Sequence, residues 1–310
     1  MATSFSELRK TRAESLSTLA KKVDDLAKGT GGKYADDELK ASYWQPSVDK
    51  AGNGYAVIRF LPAPPGEDEP FVRIWDHGFK GPTGAWYIEK SLTTIGLKDP
   101  AGEYNSTLWN ASSDENSEER KQARAQKRRL SYHANIYIVK DSGNPENEGK
   151  VFRYSFGKKI WDKLAQAMNP EFEDESPMNP FDLWEGADFK LKIRQVEGYR
   201  NYDKSEFDSK SPLFKDDDKL ESIWKMCYPL RELVDPKNFK TYDELKARLD
   251  KVLGTRAAGG GSTQGHNRGD EPDREEYRPK AKAQTGPEPS ESAPWAGDAV
   301  DDDMSFFEKL

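Results

Sequence analysis

The first 28 residues place Leu16, Leu19, Ala20, Val23, Leu26 and Ala27 three and four positions apart, the spacing of one helical face, and "GTGG" from Gly29 ends the pattern. The rhythm then shortens. "AGNGYAVIRFLP" is a Gly-Asn-Gly turn feeding an apolar run, Tyr55 to Leu61, which the prolines at 62, 64 and 65 stop. Further runs of strand length stand at Phe71 to Ile74, Trp86 to Ile88, Tyr132 to Val139, Val151 to Phe156 and Phe189 to Val196. Short runs divided by turn residues predict a small twisted sheet or barrel. Helical spacing returns in "IWDKLAQAM" and in "TYDELKARLDKVLG", where Thr241 and Glu244 form a capping box, Leu245, Leu249 and Val252 share a stripe and Gly254 terminates. The globular unit is therefore expected to close near Gly254. From Thr255 the chain is rich in Gly, Pro, Ser and charge and too poor in apolar residues to offset ordering entropy, which predicts disorder. The expected layout is an arm over 1–33, a core over 34–254 and a flexible tail over 255–310.

Composition narrows the setting. A chain of 310 residues with 35% hydrophobic content can bury a core, while 33% charged residues place part of it outside one. The single cysteine, Cys227, excludes an intrachain disulfide framework and a zinc site on paired thiolates, so a reducing compartment is expected. There is no run of about 18 apolar residues, and "MATSFSELRKTRAES" lacks a secretory core; both predict a cytosolic protein without a membrane partner. The glycosylation-like triplets at Asn105 and Asn110 then read as accidental.

Charge is unevenly distributed. The net charge is −7, yet Arg120 to Arg129 holds six cations and no acid, whereas Glu288 to Leu310 holds seven acids against Lys309 alone. The end of the tail, "DDDMSFFEKL", joins acids to two phenylalanines and Leu310, the make-up of either a docking peptide or a solubilising extension. In "KRRLSYHANIYIVK" and "GKVFRYSFGKKIW", Lys127, Arg128, Arg129, Arg153, Lys158 and Lys159 alternate with Tyr132, Tyr137, Phe152, Tyr154 and Phe156. Cations track phosphates and release counterions, and rings stack on exposed bases at about 1–3 kcal/mol each, so the mixture suits single-stranded nucleic acid. The competing reading is core packing, because Phe152, Tyr154 and Phe156 fall on one face of an alternating strand. "VEGYRNYDKS" adds Tyr199, Arg200 and Tyr202 in a Gly-containing turn, where rings are harder to bury; Arg59 and His133 complete the candidate contacts.

Catalytic signatures are absent. "GNPENEGKV" puts five residues between Gly143 and Gly149 where a phosphate-binding loop needs four, with Val151 in place of its hydroxyl. His77, His133 and His266 stand far apart without a Ser or Cys signature. Two rivals to nucleic-acid binding stay open: a metal-dependent nuclease using Glu171, Asp174 and Glu175, and an interaction scaffold whose tail is the working part.

"AGNGYAVIRFLP", "HGFKGPTGAWYIE", "SYHANIYIVKDSGNPENEGKVFRYSFGKKIWDKL", "LWEGADFKLKIRQVEGYRNYD" and "KVLGT", collinear between about Asp37 and Thr255, resemble the T-even bacteriophage single-stranded DNA-binding (helix-destabilising) protein family. The resemblance implies no enzyme and no cofactor. It implies an OB-fold core, a five-stranded β-barrel with additional helices, that binds single-stranded DNA cooperatively and without sequence preference in replication, recombination and repair, in the cytoplasm of the infected bacterial host. A basic helical arm carrying Arg9, Lys10 and Arg12 is implied to join neighbouring copies, and the acidic tail to recruit replication and recombination proteins and to cover the cleft when DNA is absent. Tyr154, Tyr199 and Tyr202 fall on base-contacting positions, and Lys127, Arg128 and Arg129 on a basic motif that here runs on into Leu130 and Ser131. His133 replaces a stacking Trp, and two further family tyrosines upstream have no aligned counterpart here, with Tyr104 and Trp109 as nearby substitutes for them. The family holds zinc through one His and three Cys in a subdomain corresponding to about 75–130, and only His77 matches, with Ser91 at the first Cys position. A metal-free subdomain packed around Trp86, Ile88 and Leu92 is therefore expected, with Asp99 and Glu103 as the residues to test should zinc be found.

Overall fold

In the computed structural model of the protein, which describes residues 4–7, 9, 37–172 and 174–255, one long strand organises the sheet. This strand, β5 (Arg129–Asp141), pairs through its first half with β3 (Phe71–Lys80) and through its second with β2 (Gly54–Phe60). β6 (Val151–Phe156) runs along its other edge. β1 (Tyr43–Trp44) adds to β6 in parallel, the one parallel pair among the described strands. β7 (Phe189–Val196) pairs with β2 and carries β8 (Tyr199–Asn201) and β9 (Glu206–Phe207), while β4 (Trp86–Lys90) closes a hairpin on β3. Every strand predicted from short apolar runs is present.

Beyond the first turn of the arm, six α-helices accompany the sheet in the described residues: α1 (Asp37–Ala41), α2 (Pro100–Asn110), α3 (Glu118–Ala125), α4 (Lys158–Met168), α5 (Asp217–Lys225) and α6 (Tyr242–Leu253). The protein is thus mixed α+β. On α6 the expected capping box forms: the Thr241 N–H donates to the Glu244 carboxylate at 2.8 Å, the Glu244 N–H to the Thr241 hydroxyl at 3.4 Å, and Gly254 takes φ 72° to end the helix. The predicted arm helix over 1–28 is described only at Phe5–Glu7 and Arg9; Lys10, Arg12 and the acidic tail lie outside the described residues. No helix among the described residues is long and apolar enough to cross a membrane.

Strand alternation sorts the side chains into layers. Tyr132, Ala134, Ile136 and Ile138 of β5 point into the main core with Phe60, Phe71, Tyr154, Phe156 and Phe189, and α4 covers them with Ile160, Trp161 and Leu164. Each large apolar side chain buried this way contributes about 1.5–3 kcal/mol. On the other side of the sheet Ile74 packs against Leu230 and Leu233. A further cluster joins Leu61, Tyr137 and Val151 to Leu220, Ile223 and Trp224.

The 75–130 subdomain departs from expectation in its packing residues. Trp86 and Ile88 are only half-buried, because the parity of β4 turns Tyr87 and Glu89 inward instead; Leu92 is buried as expected. Tyr87 joins Phe79, Ala101, Leu249 and Val252, and the buried Glu89 carboxylate accepts from Arg248 at 2.9 Å and pairs with Lys240, tying α6 to the hairpin. α2 opens on Asp99 as N-cap with Pro100 at its first position.

Candidate nucleic-acid interface

Register brings two basic segments to the same end of the sheet. Tyr132 at the start of β5 pairs with Phe156 at the end of β6, so the approach to β5, Lys127 to Arg129, lies beside the exit from β6 into Lys158 and Lys159. β3 lies on the other edge, with Arg73 opposite Tyr132 and Trp75 opposite Leu130. The Arg128 guanidinium stacks 4.1 Å over the Trp75 ring and donates to the Thr93 hydroxyl. Burial pushes Arg128 down to about 10, with nearby Asp99 acting against it, so it stays charged at neutral pH. The Trp75 indole N–H has no acceptor among the described residues. That N–H is itself buried, so the group here that is chemically suited to a phosphate is the guanidinium stacked on the ring.

Lys158 and Lys159 occupy the first turn of α4, after Gly157, which supplies no side-chain cap. Cations there oppose the helix dipole, so helix stability does not account for them. Lys158 bonds Asp162 at 3.1 Å; Lys159 reaches Asp203 at 3.4 Å and Lys163 the Asp203 carbonyl at 3.1 Å, which draws the Tyr202 loop to this end.

A separate finger projects from β7. Val196 pairs with Tyr199 across a two-residue turn in which Glu197 (φ 53°) and Gly198 (φ 86°) both take left-handed conformations, the requirement of a type I′ hairpin. Arg194, Val196 and Tyr199 share one face of the finger and Gln195 and Arg200 the other; Tyr199 is 61% exposed and Val196 42%. Arg194 on this finger, and Arg73 and Trp75 on β3, were not singled out from sequence. Alternation along "KIRQVEGYR" was the available signal for Arg194; Trp75 is recognisable only once β3 is paired with β5.

Several expected contacts lie elsewhere. Arg59 is fully buried, donating to Asp188 at 3.1 Å and to the carbonyls of Asp182 at 3.1 Å and Ser211 at 2.6 Å. Arg153, 3% exposed, donates to the Ser42 hydroxyl at 2.9 Å and the Pro229 carbonyl at 2.8 Å and pairs with Glu232. His133 is buried between the Tyr43 hydroxyl at 2.8 Å and the Ser131 hydroxyl at 3.1 Å. These three side chains serve internal partners, which corrects the expectation that they face DNA. Tyr132, Tyr154 and Tyr202 are also buried, which corrects the expectation of open ring faces. Tyr132 lies between Trp161 (4.3 Å, 5°) and Phe156 (5.8 Å, 15°), and Tyr154 stacks on Phe156 with Trp44 at its edge. Arg129 is engaged by Asp76 through Nε at 3.1 Å. Trp109, a possible substitute ring, is buried under the Arg120 guanidinium at 3.8 Å, and Tyr104 packs against the cluster around Tyr87. Lys127, Arg128, Lys158, Lys159, Tyr199 and Arg200 keep some or all of their surface.

The residues at the zinc position do not fit zinc. His77 Nε2 bonds the Asp99 carboxylate at 3.0 Å, and Asp99 also accepts from the N–H groups of Leu92 at 3.0 Å and Gly102 at 2.9 Å. Burial pushes the Asp99 carboxyl up, but the His77 bond and these N–H groups outweigh it and hold it below the usual carboxylate range. Ser91 is fully buried and caps the following turn, and Glu103 bonds the Tyr242 hydroxyl. Only His77 Nδ1 is left without a partner, one donor atom where zinc needs four ligands. Among the described residues no three His, Cys, Asp or Glu side chains gather as metal ligands, Glu171, Asp174 and Glu175 included.

The family profile described as gp32 DNA binding protein like matches residues 52–253. A protein of Enterobacteria phage T2 named single-stranded DNA-binding protein is 40% identical over 256 residues, covering 80% of this chain and 81% of the relative. Its counterpart in Enterobacteria phage T4, of the same name, is 41% identical over 242 residues, covering 76% and 77%.

Proposed function

Because the chain belongs to the gp32-like family of DNA-binding proteins, we propose that it binds single-stranded DNA cooperatively and without sequence preference, making and breaking no bond. The observation that carries the reading is the convergence of Arg128 on Trp75, Lys127, and the Lys158–Lys159 pair at one end of β5 and β6, with the Tyr199–Arg200 finger as a separate stacking element. The cations neutralise phosphates and the rings take unpaired bases, so the protein prefers melted DNA to duplex and stabilises it by mass action. Tyr132, Tyr154 and Tyr202 support this surface from beneath, or take bases after the loop around Tyr202 opens. The strand-sharing of β5 between β2, β3 and β6 supports reading the sheet as a curled OB-type barrel. The 75–130 subdomain holds together without zinc through His77, Asp99 and the packing around Tyr87. The acidic tail recruits replication and recombination proteins and, being tethered, competes with DNA for the same cations at high effective concentration.

The test is an intrinsic tryptophan quenching titration with poly-dT across salt, on the full chain and on a chain cut after Pro287. Saturable quenching that weakens with salt, and tighter binding at low salt after the cut, are expected. Absence of quenching by the full chain would favour a scaffold, and shortening of a labelled oligonucleotide with magnesium would favour a nuclease.

A further inference from the structure

Trp75 and His77 stand two residues apart on β3 and so share one face of the sheet. Against them lies a short 3₁₀ turn, Leu92–Ile95, which the Ser91 side chain caps and Gly96 ends at φ 75°. Its backbone is fastened on two sides. The Ser91 N–H donates to the Trp75 carbonyl at 3.0 Å and the Trp75 N–H to the Thr94 hydroxyl at 3.4 Å, while the Leu92 N–H donates to one oxygen of Asp99 at 3.0 Å. The other Asp99 oxygen bonds His77 Nε2 at 3.0 Å and accepts from the Gly102 N–H at 2.9 Å, which commits the carboxylate to the turn, to β3 and to the start of α2 at once. Thr93 stands half-buried on this turn. Its hydroxyl bonds that of the fully buried Ser91 at 2.9 Å and accepts from the Arg128 guanidinium. Arg128 is therefore held between a ring, 4.1 Å away, and a hydroxyl that belong to one hydrogen-bonded unit.

We propose that Thr93 is a positioning residue for single-stranded DNA: its hydroxyl, held by Ser91 and by the Asp99-fastened turn, fixes the Arg128 guanidinium on Trp75 in the orientation that meets a phosphate. The inference rests on the single-stranded DNA-binding reading and deepens it. Stacking alone sets the height of a guanidinium above a ring but leaves it free to turn within its own plane. The hydroxyl at its side removes that rotation. An arginine ordered in this way has given up its rotamer freedom on folding, so binding does not bear that cost, and its planar fork of donors is aimed before the strand arrives. A neutral hydroxyl also orients the cation without cancelling its charge. Asp76, by contrast, holds the neighbouring Arg129 with a full carboxylate.

The test is binding of the full chain to a fluorescently labelled oligo-dT that holds one molecule, read by anisotropy at low salt beside the urea denaturation midpoint. Thr93→Val, close in shape but without the hydroxyl, should weaken binding by about threefold to tenfold, the effect of leaving one long side chain to be ordered by the ligand. Thr93→Ser, which keeps the hydroxyl, should rescue it. Placed on Arg128→Ala, Thr93→Val should cause no further loss, because the group it positions is gone. This cycle decides even if Thr93→Val also lowers the midpoint: a loss confined to chains that retain Arg128 supports positioning, whereas an equal loss in both backgrounds is the mark of a structural role and overturns it. Thr93→Val that binds like wild type while Arg128→Ala binds weakly overturns it as well. A wild-type chain that fails to bind the oligonucleotide sinks the functional reading and this inference with it, whereas wild-type binding that Arg128→Ala leaves untouched sinks the inference alone.

Discussion

Tyr132 and His133 are adjacent in the chain and lie on opposite faces of β5, as Tyr154 and Arg153 do on β6. One face collects rings: Tyr132, Tyr154 and Phe156 under Trp161, with Arg128 and Trp75 at its rim. The other holds His133 and Arg153 beneath the segment around Leu230 to Glu232 and binds their polar atoms internally. A stretch that reads along the chain as one alternation of cations and aromatics is, in a pleated sheet, two populations separated by the backbone. Neither population faces solvent along most of its length. The residues that keep their surface sit where the strands begin, end or turn.

The largest effect that should separate the faces is on stability against pH. Burial first, then the charges of Lys90 and Arg153, pushes His133 down from 6.5 to about 3. The Ser131 hydroxyl donates to the Ile74 carbonyl, so neutral His133 donates to Ser131 through Nε2 and accepts from Tyr43 through Nδ1. Because the folded value lies below the unfolded one, the unfolded chain takes up the proton first. The stabilising term is therefore fully present above about pH 6.5 and is lost as pH falls towards 3, a change on the order of 4 kcal/mol over that window. Urea unfolding of wild type and His133→Gln between pH 7 and pH 4 should give stability curves that converge on acidification. Parallel curves would place His133 in contact with solvent, and the comparison of faces would break.

Arg153→Ala comes next. The guanidinium is buried, while its partner Glu232 is 46% exposed and can recover water when abandoned. The loss should then sit near the low end for a broken buried pair, about 3 kcal/mol. A lowered denaturation midpoint with unchanged DNA affinity of the folded fraction is expected. A weakened affinity at full stability would return Arg153 to the interface.

The sequence made the strands, the α6 capping box and the terminating Gly254 legible, because each depends on residues within one or two turns of each other. α2 carries an equally local signal in Asp99-Pro100, an N-cap followed by a proline at the first helical position. The site was legible in composition but not in facing. Which side of β5 is covered depends on α4 and on residues around Leu230, 30 to 100 positions away in sequence. The cations that were misplaced, Arg59 and Arg153, have carbonyl and carboxylate partners at Asp188, Ser211, Pro229 and Glu232, which no local pattern links to them.

The Tyr199 finger sharpens the comparison from outside both faces. Tyr199 is 61% exposed and stands opposite Val196 in the hairpin, so Tyr199→Ala should leave the denaturation midpoint unchanged. If the ring takes a base, affinity for oligo-dT should fall by about 1 kcal/mol, the low end of stacking values because the hairpin tip stays hydrated. Equal affinity of the variant would move stacking back to the buried rings and require the Tyr202 loop to open.

The smallest effect distinguishes neighbouring cations. Arg128 stacks on Trp75, whereas Arg129 is matched by the Asp76 carboxylate one strand away. A cation already neutralised by the protein releases few counterions when DNA arrives, and its removal also exposes the acid that held it. Arg128→Ala should therefore reduce the slope of log affinity against log salt by about 0.7, one phosphate contact on a single strand. Arg129→Ala should weaken binding at low salt through repulsion from the uncovered Asp76, so its curve should meet the wild type as salt rises. If both variants instead give the same change in slope, Asp76 does not hold Arg129 away from the strand, and the rim of the aromatic face reads as one continuous basic surface.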